Sequence, residues 1–483
     1  MCFAYLISRR LFAQAVEPKF VERLFGTGYC VTAIMFLAGN MWLFLGGLAL
    51  ASVLAARRFT YPLALFLFLL LLMPGYSVQV PGFGLINYLI DLNPWRVVSL
   101  TLLLPTVFWL SSQKHLPKPG SLLADKLVLA FALYTSWLSY LHYDTFTVGL
   151  RQLAITTLDS LLIYFAASRG LMLKGAVRHV IVALVMAAIF LALVSGFEFV
   201  KHWLLYSSVK ENLGVRSALF GYLGRGATLR VTATTGQPIV LGFVMMVALL
   251  MSCYAHRLVP RGGARVVLWM TMVTGLVAAM SRGPWVGAAI GLFVVALAST
   301  KPLDNVLKLS AASLGAAIVL LITPGGEKIL DYLPWIGEID SANIDFREIL
   351  WRQSMLVFEK YPWTGSIDFV FAPEFDEIRT SRGFVDVVNT YVGVLLMYGG
   401  IGLGLYILLM LVALLPSIKK PIHEKTSCSE PAVYGMALTG TLVASIITIS
   451  TVSSIEQIAP LLIFIIGAAV ARASINNKIP TPH

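Results

Sequence analysis

The residues in this chain best suited to chemistry are arginines in apolar company. Lys201, Lys210, Arg216, Arg225 and Arg230 stand in the stretch 201–234, whose one acid is Glu211. A guanidinium offers a planar fork of N–H donors that matches two phosphate oxygens at once, so such a cluster suits an anionic ligand. A solvated loop lying against anionic lipid headgroups explains the same residues, and both readings stay open. Arg282 is placed differently, in Met280-Ser281-Arg282-Gly283-Pro284-Trp285, between two apolar runs with almost no loop to hold it in water. A charge there is costly unless it is paired or reaches the interface. Pro284 suits the first turn of a helix, which sets Arg282 beside a helix N-terminus, where anions are favoured. A snorkelling arginine at a helix end is the plainer alternative.

Three carboxylates join this set. Asp386 falls just before a long apolar run that starts near Asn389. There it could accept a proton from a hydroxyl or cap the helix that follows. Asp159 lies inside the apolar run 151–168, and Glu198, with His202, closes the run 179–200. Acids within spans are functional suspects, and a hydrogen bond inside a helix bundle accounts for them equally well. There is no Walker lysine motif, no HExxH and no GxSxG in a strand–helix setting, which argues against an ATPase, a zincin and an α/β-hydrolase. Gly287-x-x-x-Gly291 and Gly400-x-x-x-Gly404 read as close-packing motifs. Cys2, Cys30, Cys253 and Cys428 form no CxxC pair and read as packing residues. No metal site is expected.

The framework that holds these residues follows from composition. Of 483 residues, 58% are hydrophobic and 12% charged, about half the charge of an ordinary soluble protein. That excludes a soluble enzyme, a disordered chain and a disulfide scaffold. It demands an all-α polytopic membrane protein, in which each helix is apolar around most of its circumference. Apolar runs predict about 12–14 spans; the first, 29–55, contains Gly39-Asn40 and reads either as one long helix or as a hairpin. No cleavable signal peptide is expected. The formal charge of +12 would raise nucleic acid as a partner in a soluble protein, but in this chain it reads mainly as topology. One alternating set of connections carries eighteen Lys and Arg against Asp125, Asp304, Glu424 and Glu430, which places it and the C-terminus in the cytoplasm. The opposite set contains 201–234 and a large loop, 324–388, with twelve acids and six bases. The chain divides into N-terminal transmembrane helices, 1–200, and a second transmembrane region, 201–483, that includes this loop. No internal repeat of the transporter kind is evident.

In its second half the order of features resembles the O-antigen ligase and polymerase superfamily of bacterial membrane glycosyltransferases. The stretches that carry the resemblance are Arg230-Val-Thr-Ala-Thr-Thr-Gly-Gln-Pro-Ile239, Ser281-Arg-Gly-Pro-Trp-Val-Gly287, and Arg347-Glu-Ile-Leu-Trp351 with Tyr361-Pro-Trp-Thr-Gly365. Asp386-Val-Val-Asn389-Thr-Tyr391 and Tyr398-Gly-Gly-Ile-Gly-Leu403 complete them. Asn87-Tyr-Leu-Ile-Asp91 before Pro94 is a softer echo. The resemblance implies glycan transfer on the outer leaflet of the bacterial inner membrane, with no metal, nucleotide sugar or other cofactor. Its donor is a glycan on undecaprenyl diphosphate, and arginines in the positions of Arg230 and Arg282 hold the diphosphate. Asp386 is then the carboxylate on the acceptor side, and Arg216, Arg225, Arg347, Asn389 and Tyr391 are substrate contacts. Membrane lipids, a chain-length regulator and a flippase are the implied partners, and nucleic acid is not. Ligases that modify the lipid A core carry a His directly before the Asn at the end of the large loop. This chain has Val388 there and no histidine in 324–388. A polymerase of lipid-linked repeat units is therefore the expected activity. The alternatives are a ligase acting on a lipid or protein acceptor and a flippase of polyprenyl-linked sugars.

Overall fold

The computed structural model describes residues 1–84, 86–217, 219–225, 228–322, 341–379, 385, 387–423 and 429–477. Helices follow the apolar runs because a backbone without water must bond within its own segment. α1 (Cys2–Leu11) and α2 (Pro18–Leu37) open the chain, and α3 (Met41–Ala56) turns back on α2. The first apolar run is thus a hairpin. Gly39 takes φ +68° at its turn, and the Leu43 N–H donates to the Asn40 side chain at 2.8 Å, capping α3. Next come α4 (Pro62–Leu72), α5 (Pro94–Ser112), α6 (Leu123–Tyr143), α7 (Phe146–Gly170) and α8 (Ala176–Lys201). Then follow α9 (Pro238–Ala255), α10 (Gly263–Ala278), α11 (Arg282–Ala298) and α12 (Pro302–Ile322). The last are α13 (Ser341–Lys360), α14 (Thr390–His423), α15 (Glu430–Thr448) and α16 (Ile458–Asn477). Among the described residues, eight helices are long and apolar enough to cross a membrane, and α3, α4, α10 and α11 are shorter apolar helices. The eight are fewer than the 12–14 spans expected from the apolar runs, because these four fall below the spanning length.

α8 and α9 form the centre, buried along most of their length, with α4 against α8 and α15 against both α9 and α11. α7 packs on α16, and α6 links α7 to α14. Every residue of α4 from Leu63 to Leu72 is buried. At 11 residues it is about 16 Å long, roughly half the hydrocarbon thickness. The chain beyond it, Met73 to Tyr76, continues as non-helical backbone largely buried in protein, a setting in which irregular backbone is tolerated in membrane proteins. α5 and α7 each contain a π turn, at Ser99–Leu103 and Thr157–Leu161.

The two ends of the bundle differ. At the end bearing the short basic connections, Asp125 and Arg169 form a buried ion pair at 2.5 Å, with the Tyr164 hydroxyl donating to Asp125 at 2.8 Å. Glu430 there receives Arg178 at 2.6 Å and the Tyr254 hydroxyl at 2.6 Å, joining α15 to α8 and α9. The other end, called the loop end below, carries the longer connections. Two small antiparallel ribbons add short strands to an otherwise helical chain: β1 (Val78–Pro81) with β2 (Tyr88–Leu92), and β3 (Gly224–Arg225) with β4 (Thr228–Leu229). Arg151 of α7 holds the first ribbon. It donates to the Tyr88 and Leu89 carbonyls, with its guanidinium 3.7 Å from the Tyr88 ring centre.

The large loop contributes a small subdomain. Leu350 and Val357 of α13 pack with Phe369, Phe375 and Ile378 onto Val392 and Leu396 of α14. The turn after α13 docks where α14 is broken at Gly399, whose φ is 66° and ψ −171°. Gly400 N–H donates to the Pro362 carbonyl at 2.8 Å and Ser366 N–H to the Leu396 carbonyl at 2.8 Å. A side chain on Gly365 would lie 2.5 Å from Gly399 N and 2.6 Å from Leu396 O. The Tyr361–Gly365 and Tyr398–Leu403 motifs are therefore two halves of one contact.

Candidate functional site

Three non-helical segments meet at the loop end: 73–76 after α4 and 230–237 before α9, both largely buried, and 449–457 between α15 and α16, which is partly buried. Glu198, near the end of α8, holds the second of them. Its carboxylate accepts the N–H groups of Thr232 and Ala233 at 3.1 and 2.9 Å and that of Leu205 at 3.0 Å. Thr234 ties the same segment to the end of α4, its hydroxyl donating to the Leu71 carbonyl at 2.6 Å. Arg230 lies at the start of this pinned segment, half-buried, its N–H donating to the Leu223 carbonyl at 2.9 Å. Glu198 therefore acts structurally, supplying acceptors to backbone that no helix satisfies.

Arg282, also half-buried, is the first residue of α11. Gly283 abuts Thr451, and Ser281 and Pro284 approach Gly242 of α9. Because 230–237 runs directly into α9, the segments carrying Arg230 and Arg282 share one end of one helix. The 449–457 segment is the hub. Thr390 N–H donates to the Ile449 and Val452 carbonyls at 2.9 and 3.1 Å, and the Ser453 hydroxyl donates to the Val387 carbonyl at 2.6 Å. Gln457 reaches the other way, donating to the Met73 carbonyl at 2.9 Å.

The remaining expected residues fall as follows. Asp386 lies outside the described residues, between buried Val385 and half-buried Val387. The helix cap that it was a candidate for is supplied by Asn389, whose side-chain oxygen accepts the Tyr391 N–H at 2.9 Å. The Tyr391 hydroxyl points into the bundle and donates to the Ile446 carbonyl at 2.9 Å. Arg225 is described only as backbone of β3, while Arg216 and Arg347 are exposed on the surface, the latter on α13.

Several residues of this end escape sequence reasoning. Asp159 does not meet Arg151; it pairs with Arg96, whose Nε lies 3.0 and 3.1 Å and whose second nitrogen 2.7 Å from its oxygens. The pair joins the two helices that carry π turns, a distortion common at functional sites. His142 and Tyr143, ending α6, bind Asp368 of the subdomain at 2.7 and 2.9 Å. Burial raises the Asp368 carboxyl, but these two bonds outweigh it and hold the group below the usual carboxylate range. Glu456 is packed against Gly75 and the Trp95 ring, in left-handed backbone at φ 47°. Burial pushes its carboxyl up to about 7, against the pull of Arg96. Its signal in the sequence is the one that marks Arg282, a charge in a short link between long apolar runs. Among the described residues, no group of three or more His, Cys, Asp or Glu is arranged to hold a metal ion.

The arrangement offers cationic side chains and a poorly solvated carboxylate around largely buried, irregular backbone, at one end of a membrane bundle. That suits binding and charge stabilisation of an anionic group presented at the membrane surface. Residues 266–407 match the family described as O-antigen ligase. The match runs from α10 into α14, enclosing Arg282, Arg347, Asp386, Asn389 and Tyr391 and leaving out Arg216, Arg225 and Arg230. No curated protein matches the chain.

Proposed function

We propose that this chain, whose residues 266–407 match the family described as O-antigen ligase, polymerises oligosaccharide repeat units carried on undecaprenyl diphosphate. The family supports a glycosyltransferase-type membrane enzyme acting on lipid-linked glycan. The observation that carries the finer reading is the convergence of the Arg230 and Arg282 segments at the loop end of α9. In the proposed reaction an acceptor sugar hydroxyl attacks the anomeric carbon of the donor, and the lipid diphosphate leaves. Negative charge grows on the leaving diphosphate, and the two guanidinium groups stabilise it there. Asp386 orients or activates the acceptor, and the 341–379 subdomain covers the site. Arg347, with Arg216, Arg225, Asn389 and Tyr391, contributes further contacts. The loop end then faces the outside of the bacterial inner membrane, where a flippase delivers the units and a chain-length regulator acts.

A ligase uses the same donor, but Val388 and the absence of histidine from 324–388 favour the polymerase. A flippase would need a polar path through both leaflets, whereas α8 and α9 are apolar and buried along most of their length. Deletion followed by analysis of the lipid-linked pool separates the three. Single repeat units accumulating on the lipid support the polymerase. Finished polymer left on the lipid identifies a ligase, and units held on the cytoplasmic leaflet identify a flippase.

A further inference from the structure

The loop end holds a carboxylate that neither the fold nor the diphosphate site uses. Glu456 Oε2 is buried and has no hydrogen-bond partner among the described residues. Its backbone occupies the left-handed region at φ 47°, a conformation that disfavours residues other than Gly, Asn and Asp. Next to it Gly75 leaves the room it needs: any side chain there would run into the Glu456 carboxylate and the Trp95 ring. Strain, a missing partner and a glycine cleared for one carboxylate do not serve stability, since an unsatisfied buried acceptor is destabilising. Such features persist where function requires them.

We propose that Glu456 takes the proton from the acceptor hydroxyl during glycosyl transfer, an assignment that rests on the polymerase reading above. The hydroxyl oxygen forms its bond to the anomeric carbon, the bond from that carbon to the diphosphate oxygen breaks, and the diphosphate leaves with the electron pair. The hydroxyl proton passes to the Glu456 carboxylate. Asp386 keeps the role of orienting the acceptor.

The surroundings fit a base. Arg96 is the cation that faces Glu456, but three of its five N–H groups go to Asp159 and to the Asp91 carbonyl, the latter at 2.5 Å. It attracts the carboxylate from a distance and does not neutralise it by contact. Trp95 and Gly75 bring no charge, and the Tyr76 hydroxyl, raised by burial, brings none at neutral pH. A partly desolvated carboxylate is more basic than one in water, and burial raises Glu456 to about 7, near the range in which general bases work best. Position fits as well. Glu456 belongs to the segment that touches Gly283 through Thr451 and Val387 through Ser453, so the same backbone adjoins the start of α11, where Arg282 stands.

The test is complementation of a deletion strain, together with polymerisation assays of the full chain in membranes given lipid-linked repeat units. Glu456→Gln should lower polymer formation on the order of 10²-fold or more while retention of the lipid-linked donor is unchanged. The wild-type rate should fall on the acid side of about pH 7, and Glu456→Asp should retain that fall with partial activity. A Glu456→Gln strain that makes full-length polymer overturns the assignment. So does a wild-type profile that is flat through neutral pH, which also decides the matter if the Gln variant does not insert. An acid fall that survives Glu456→Gln and disappears in Asp386→Asn gives the proton to Asp386 instead. The polymerase reading fails separately, by the deletion strain not accumulating single repeat units.

Discussion

Arg230 and Arg282 are held by different means, and the difference predicts how they fail. Arg282 opens α11, where its neighbour Gly283 abuts Thr451 and Ser281 and Pro284 approach α9. Arg282→Ala should lower polymer formation on the order of 10²-fold with insertion unchanged. Wild-type polymer from that variant, or from Arg230→Ala, would remove the diphosphate role. Arg230 depends on a neighbour, because Glu198 supplies the acceptors for the segment behind it. Glu198→Ala leaves three N–H groups without their acceptor, at a cost of about 1–3 kcal/mol for each one that stays buried. The melting temperature in detergent should drop, and the activity of Arg230 should be lost with it. Glu456 gives a prediction about stability as well as rate. Its folded value, about 7, lies above the ordinary 4.5. Its contribution to stability is therefore complete below about pH 4.5 and is lost as the pH rises through about 7. Against Glu456→Gln, the wild-type melting temperature should decline across that interval. Parallel curves for the two proteins would contradict it.

Among the elements, the site depends on backbone that is not helical. α4 is short, and Met73 to Tyr76 continue from it as largely buried, non-helical chain. The carbonyls freed there accept Thr234 and Gln457. The subdomain is fastened at two points, the Gly365–Gly399 dock and the pair that His142 and Tyr143 make with Asp368. Gly399 adopts backbone angles that are essentially reserved for glycine. Gly399→Ala should cost about 1–3 kcal/mol and loosen the dock, so limited proteolysis should cut within 341–379 while the transmembrane helices remain intact. Equal protease resistance in variant and wild type would show that the dock does not hold the subdomain. The two motifs of the dock are visible in the sequence as separate glycine-bearing strings. That they meet is not visible, since 34 positions separate Gly365 from Gly399 and no periodicity links a turn to a helix break.

Over the molecule as a whole, the bundle has one end of short basic connections and one end of longer, partly irregular connections. The positive-inside rule predicts that the basic end lies in the cytoplasm, and this is open to a direct check. In a background lacking Cys2, Cys30, Cys253 and Cys428, Ser208→Cys at the loop end should react with a membrane-impermeant maleimide in cells with a permeable outer membrane. Arg261→Cys, at the basic end, should react only after lysis. The reverse pattern would place the proposed site in the cytoplasm.

That this is a helical membrane protein is written in the order of its amino acids, because hydrophobicity is a local property that survives any packing. Arg230 and Arg282 stand out there too, since a charge in apolar surroundings is costly whatever its partners are. Asp386 draws notice for the same local reason, while the cap that it was a candidate for belongs to Asn389. Which groups act on one another is set only by packing in three dimensions. Asp159 is bound by Arg96 from a different helix, Glu198 serves the Arg230 segment, and Glu456 faces Gly75 from the far end of the chain. A missing hydrogen-bond partner and the burial that makes a carboxylate basic are relations between distant segments. A linear sequence records each residue without the neighbour that gives it its chemistry.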